Sequence, residues 1–248
     1  MIETIIKIQN IVAPVLLREN EYKEKFPIGF TFNHFLERTN YSLTSLKILL
    51  SNNIIENDHA IGLIGRNILS DFLTVSYIIA KSLSVEDDKV FYSLYKSDLD
   101  KMNSYLTLSE KYNLISPSEI QDIVNIYSDE NLIYQKIKSY NKNFKVSPFP
   151  SIKNIAEQFM NVYKNHVLAA KVIQSYDIWL LLSKYEHIGI HSYTLTRPIN
   201  IETLSLRAKF ILSFAALTIG CSLSELKEQS AFSDIMKIYE KLLSDQTQ

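Results

Sequence analysis

Apolar residues recur at helical spacing through most of the chain, and the recurrence predicts a succession of helices. The first covers residues 2–23, kinked or split at Pro14, because proline removes an internal hydrogen bond and crowds the turn before it. Pro27 and Gly29 mark a turn over residues 25–30, and a second helix follows over 31–55. The third, residues 58–82, is apolar on nearly every face, which belongs in the middle of a bundle. Ser84 and Asp87 suit a capping box for a fourth helix reaching Tyr112. Ser116-Pro117-Ser118-Glu119 is a fuller start signal: serine caps, proline occupies the first turn and glutamate reaches back. That fifth helix ends near Asn141, before a loop at 144–150 holding two prolines. A sixth helix opens at Ser151 and runs to Gln174, and a seventh covers 176–188 and stops at Gly189. A connection at 194–200 with Pro198 leads to an eighth helix over 201–220, ended by glycine, and a last one over 222–243.

Five glycines and six prolines in 248 residues are too few for the many turns of an all-β protein. The expectation is an all-α fold: a single bundle of about eight or nine helices around an apolar central helix. No repeat and no Gly/Ser linker divides the chain, so residues 1–248 read as one domain, with 84–143 as a peripheral helical hairpin.

Composition narrows the function classes. With 46% hydrophobic residues the chain can bury a sizeable core without disulfides or a metal. A formal net charge of -1 supplies no long-range field for nucleic acid, so any such contact needs a local patch. The lone cysteine, Cys221, excludes an internal disulfide and lies in an apolar run, where it reads as a small core residue rather than a nucleophile. Abundant Ile, Asn, Lys, Tyr and Ser point to an AT-rich bacterial genome. Residues 1–10 have no basic n-region and no cleavage site, so no signal peptide is expected. Residues 61–80 are long enough to span a bilayer but contain Arg66, Asn67 and Asp71. Each ionised group near a bilayer centre costs roughly 2.5–3.5 kcal/mol, so a core helix of a cytoplasmic protein, without a membrane, is the expectation.

Common catalytic signatures are absent: no phosphate-binding glycine loop, dinucleotide fingerprint, zinc helix or nucleophile elbow. Two stretches remain. The first is Arg66-Asn67-Ile68-Leu69-Ser70-Asp71 in the apolar third helix. Arg66 shares a stripe with Ser70 and Tyr77, whereas Asp71 points roughly 140° away from Arg66. Each charge therefore needs a partner from another helix. Either they are buried structural ion contacts, or they line a polar site inside the bundle. The second stretch holds Trp179, Ser183, Tyr185, His187 and His191. His187 falls in a last helical turn, where the dipole favours its protonated form; capping, proton transfer and ligand binding are the alternatives. Gly189 interrupts the spacing of His187 and His191, so no metal and no cofactor are expected there. His34 and Glu37, three apart, are a weaker metal alternative, since one carboxylate–histidine pair is nonspecific. Lys136, Lys138, Lys142 and Lys145 read as a solvated face.

Arg66, Asp71 and Tyr77 on an apolar helix, followed by Leu182-Ser183 and His187, resemble a bacterial helical family called domain of unknown function 5677. The resemblance spans about residues 60–191 and implies an all-helical bacterial protein without implying a reaction. A more distant similarity is to HEPN-type helical ribonucleases of toxin–antitoxin and phage-defence systems. Their signature is an arginine and a polar residue, with histidine four to six residues after the arginine. Arg66-Asn67 fits its start, but Asp71 stands where histidine would serve.

The functional expectation is a bacterial binding or regulatory module of stress or phage defence, presenting a pocket or helix face to a protein or nucleotide-like partner. Asn67, Tyr77, Trp179, Ser183 and Tyr185 are the candidate contact residues. The alternative is an RNA- or nucleotide-cleaving enzyme in which Arg66 stabilises phosphate charge and His187 or His191 moves protons, with Asp71 a further catalytic candidate. A homo-oligomer is compatible with either.

Overall fold

Ile5, Ile8, Val12 and Val15 recur along one face of the first helix and are all buried. In a computed structural model of the chain, residues 1–52, 57–85, 88–112, 116, 118–119, 121, 135–136, 139, 147–183 and 201–244 are described. Among them all regular structure is helical: α1 (Ile2–Leu16), α2 (Glu19–Glu24), α3 (Ile28–Ser51), α4 (Asp58–Val85), α5 (Lys89–Tyr112), α6 (Ile152–Asn161), α7 (Ala169–Leu182), α8 (Ile201–Glu225) and α9 (Gln229–Ser244). This is the packed all-α bundle with buried apolar helices that the periodicity predicts. The first segment is split, but not at Pro14, which lies inside α1: the helix stops at Leu16, and the Leu17 amide bonds the Ala13 carbonyl and the Arg18 amide the Val15 carbonyl before α2 begins.

The helices form two compact groups, residues 1–80 with 151–248 and residues 81–150. In the first, α3 packs on α1, α2 and α8, α9 packs on α8 and α1, and α6 packs on α7. α4 carries buried Ile61, Ile68, Leu69, Phe72, Leu73, Val75 and Ile78. Phe72 meets Phe214 of α8 with ring centroids 5.2 Å apart. Gly65 lets these two helices close: a Cβ there would lie 2.5 Å from Ile211 Cδ1. α8 is as central as α4, because every residue from Ile211 to Gly220 is buried. α4 and α8 are both long and apolar enough to cross a membrane by length and composition, and 67% of each such window is buried.

In the second group, the segment before α6 is tied to α5. Ser93 Oγ donates to the Ser147 carbonyl at 2.6 Å, and the Phe149 amide donates to Ser97 Oγ at 3.0 Å. The Ser116 box forms: the Ser116 amide donates to Glu119 Oε2 at 2.8 Å and the Glu119 amide to Ser116 Oγ at 3.3 Å.

Several boundaries depart from the sequence expectation: α3 begins at Ile28, inside the turn expected over 25–30, and Ser84, the expected cap of the fourth helix, lies in the last turn of α4. The sixth helix does not continue to Gln174. It ends at Asn161, and residues 162–168 form turns in which the Leu168 amide donates to His166 Nδ1 at 3.2 Å. α7 then runs unbroken through Ser175, whose hydroxyl satisfies itself on the Val172 carbonyl. Gly220 does not end the eighth helix either. It sits inside α8 against Met236 of α9, where a Cβ would lie 3.1 Å from sulfur, so its smallness serves packing. The chain turns instead at Lys227, with φ 63°, where the Glu228 amide bonds the Leu223 carbonyl and the Lys227 amide bonds Ser224. That is a Schellman motif with lysine in the left-handed position.

The same turn delivers Glu228 to the other end of the chain. Buried Tyr22 donates its hydroxyl to Glu228 Oε1 at 2.6 Å, and Arg18 Nη2 lies 2.8 Å from Oε2. A second long-range tie joins Arg207 of α8 to Asp58 at the start of α4, with both side chains nearly buried.

Candidate functional site

α4 carries the polar residues of interest, and its geometry separates them. At about 100° per residue, Arg66, Ser70 and Tyr77 share one stripe and Asp71 another. The Arg66 stripe faces α7. Its guanidinium carbon lies 5.0 Å from the centroid of the Trp179 ring. The indole Nε1 donates to Ser70 Oγ at 2.8 Å, and Ser70 in turn donates to the Arg66 carbonyl at 3.0 Å. Tyr176, one turn earlier on α7, stacks on Trp179 at 6.1 Å and 14° between planes. The indole is thus held through its ring by a cation, through its N–H by a hydroxyl, and from its own helix by a phenol. A cation–π contact of this kind contributes about 0.5–2 kcal/mol, depending on how far it is desolvated. Arg66 and Trp179 remain half-buried, and Asn67 beside them is exposed.

Further along the stripe, Tyr77 is buried and meets Tyr163 edge-on at 6.4 Å, and burial pushes its hydroxyl pKa up. Ser183 closes α7 with its hydroxyl donating to the Leu180 carbonyl at 2.7 Å. Tyr185, His187 and His191 lie outside the described residues, as do Lys138, Lys142 and Lys145 of the basic cluster.

Asp71 is 3% exposed and faces α3. Its Oδ2 lies 3.1 Å from Arg38 Nε, but the approach is not aligned as a hydrogen bond, and Oδ2 accepts none. Burial pushes the carboxyl up to about 7, and the Arg38 charge, pulling the other way, offsets only part of that. Arg66 and Asp71 therefore occupy two environments, against α7 and α3 respectively, as their angular separation along the helix predicts. Arg38 was not singled out from sequence. In the structure Arg38 and Asp71 each lie thirteen residues from the end of their helix nearest the α3–α4 connection, the register of an antiparallel pair, which the helix end expected at residue 55 conceals.

The remaining candidates are placed apart. His34 stacks on Phe30 at 6.5 Å, and Glu37 accepts from Tyr41 at 3.5 Å. Among the described residues no group of three His, Cys, Asp or Glu side chains could hold a metal ion. His166 lies edge-on to Phe159, and burial lowers its pKa. The Cys221 thiol is pushed up to about 12 by burial, with Glu225 adding to the shift, which keeps it from acting as a thiolate near neutral pH. The site that the described residues assemble is therefore a half-buried cation–aromatic cluster between α4 and α7. No family model, curated protein or solved structure matches the chain.

Proposed function

We propose that the chain is a bacterial, cytoplasmic binding or regulatory module of stress or phage defence. Its contact surface for a protein or nucleotide-like partner centres on Arg66, Trp179 and Tyr176, with Asn67 at its edge. The observation that carries this reading is the fixed indole: Arg66 over its ring, Ser70 on its N–H. Trp, Tyr and Arg dominate binding energy at interfaces, the aromatics because they combine large area with few rotors, and a side chain already fixed loses little entropy on binding. A core residue would not need a half-exposed indole, and a solvated face would not need three groups to hold it.

Trp179 is the single tryptophan, so its emission reads the site directly. The test titrates the full chain with mononucleotides and a short single-stranded RNA, and captures cellular proteins on immobilised wild type, Arg66→Ala and Trp179→Ala. A ligand or partner that shifts Trp179 emission and loses at least tenfold in affinity for both variants, with circular dichroism unchanged, supports the reading. A partner held equally well by all three proteins would refute it. RNA turnover lost in Arg66→Ala would favour the cleaving alternative instead.

A further inference from the structure

Midway along α4, the Asp71 side chain is 4% exposed, and its salt-bridge partner Arg38 is 51% exposed. A carboxylate taken out of water stays ionised when two or three donors or a well-placed cation replace its hydration. Asp71 has a single cation at 3.1 Å, out of line for a hydrogen bond, and that cation keeps half of its own water. Buried ion pairs of poor geometry do not recover their desolvation cost.

Among the described residues the surroundings add no second charge. From α3 the facing group is Arg38; Glu37 of the same helix turns to Tyr41. From α7, α4 meets Trp179 and Leu182. From α8 it meets Ile211 and Phe214, while Arg207 is committed to Asp58, about 20 Å along α4 from Asp71. Tyr163 meets Tyr77, and Arg66 stands over Trp179 on a different face.

We propose that Asp71 and Arg38 form a proton-operated latch between α3 and α4. With Asp71 ionised, Arg38 is drawn onto the seam. With Asp71 protonated, the guanidinium is released to the outer stripe of α3, which also carries exposed His34 and Tyr41. That stripe then presents a cation with no countercharge behind it, suited to an acidic partner. The burial that raises the carboxyl to about 7 sets the switching range near neutrality.

The test is carboxyl-carbon NMR of the full chain with labelled aspartate, together with the Arg38 Nε resonance, from pH 5 to 9. One aspartate should titrate near neutrality, and Arg38 Nε should move with the same midpoint. The transition should vanish in Asp71→Asn, a shape match for the protonated acid, and shift upward by about one pH unit in Arg38→Gln. Titration of Asp71 in the ordinary carboxylate range, or an Arg38 resonance indifferent to pH, would overturn the latch. Both can be read on wild type even if a variant fails to fold.

Discussion

A buried acid that prefers its proton makes folding pH-dependent in a definite direction. Asp71 has a folded-state pKa of about 7 against 3.8 when exposed, so across that window the folded chain holds more protons than the unfolded one. Stability from this residue is full below the window and is lost as pH rises through about 7, with a slope approaching roughly 1.4 kcal/mol per pH unit. Glu228 has the opposite sign: Arg18 and Tyr22 hold its pKa below the usual carboxylate range, so its contribution is present above that range and lost in acid. Urea unfolding of wild type and Asp71→Asn across pH 4–8 isolates the first effect, because His166, Glu225 and Glu228 titrate in both proteins. The variant should gain on wild type steadily from pH 5 to 7; parallel curves would exclude a perturbed Asp71. The divergence of Arg66 and Asp71 was legible in sequence, since helical angles depend only on spacing. Their partners were not, because Arg38 is 33 residues from Asp71 and Trp179 is 113 residues from Arg66, and nothing local selects them.

Two helix starts were marked by local capping chemistry. Ser151 caps α6 by accepting from the Asn154 amide at 3.3 Å, as its position suggested, and the Ser116 box closes as read. Such caps are local chemistry within a few residues. Ends failed where an end signal had another job or no signal existed. Gly220 looks like a terminator and is a contact point for α9, whereas residues 162–168 break the helix without glycine or proline. The actual terminator, Lys227, holds a left-handed conformation that costs a non-glycine residue about 1–2 kcal/mol. Lys227→Gly should therefore raise stability by about 1 kcal/mol, after allowing for the freer unfolded chain. An unchanged or lower denaturation midpoint would mean that the lysine side chain contributes there.

Across the whole molecule, the ties that matter join distant parts of the chain. Tyr22 and Glu228 are 206 positions apart, and their bond fixes the α1–α2 corner to the α8–α9 turn. Tyr22→Phe removes the hydroxyl and leaves a partly desolvated carboxylate oxygen short of a donor, a loss of about 1.5–3 kcal/mol by thermal or urea unfolding. A change under 0.5 kcal/mol would show that Arg18 alone satisfies Glu228.

The larger compact group is assembled from residues 1–80 and 151–248, with the smaller one between them in the chain. On the ribosome, α4 therefore emerges long before α8, the helix that covers Gly65 and Phe72. At about 5–20 residues per second the interval is on the order of ten seconds. Throughout it, one of the most apolar stretches of the protein is out of the exit tunnel without its neighbour. The face of α4 that Gly65 and Phe72 present to α8 thus waits for its cover through more than half of the chain's synthesis.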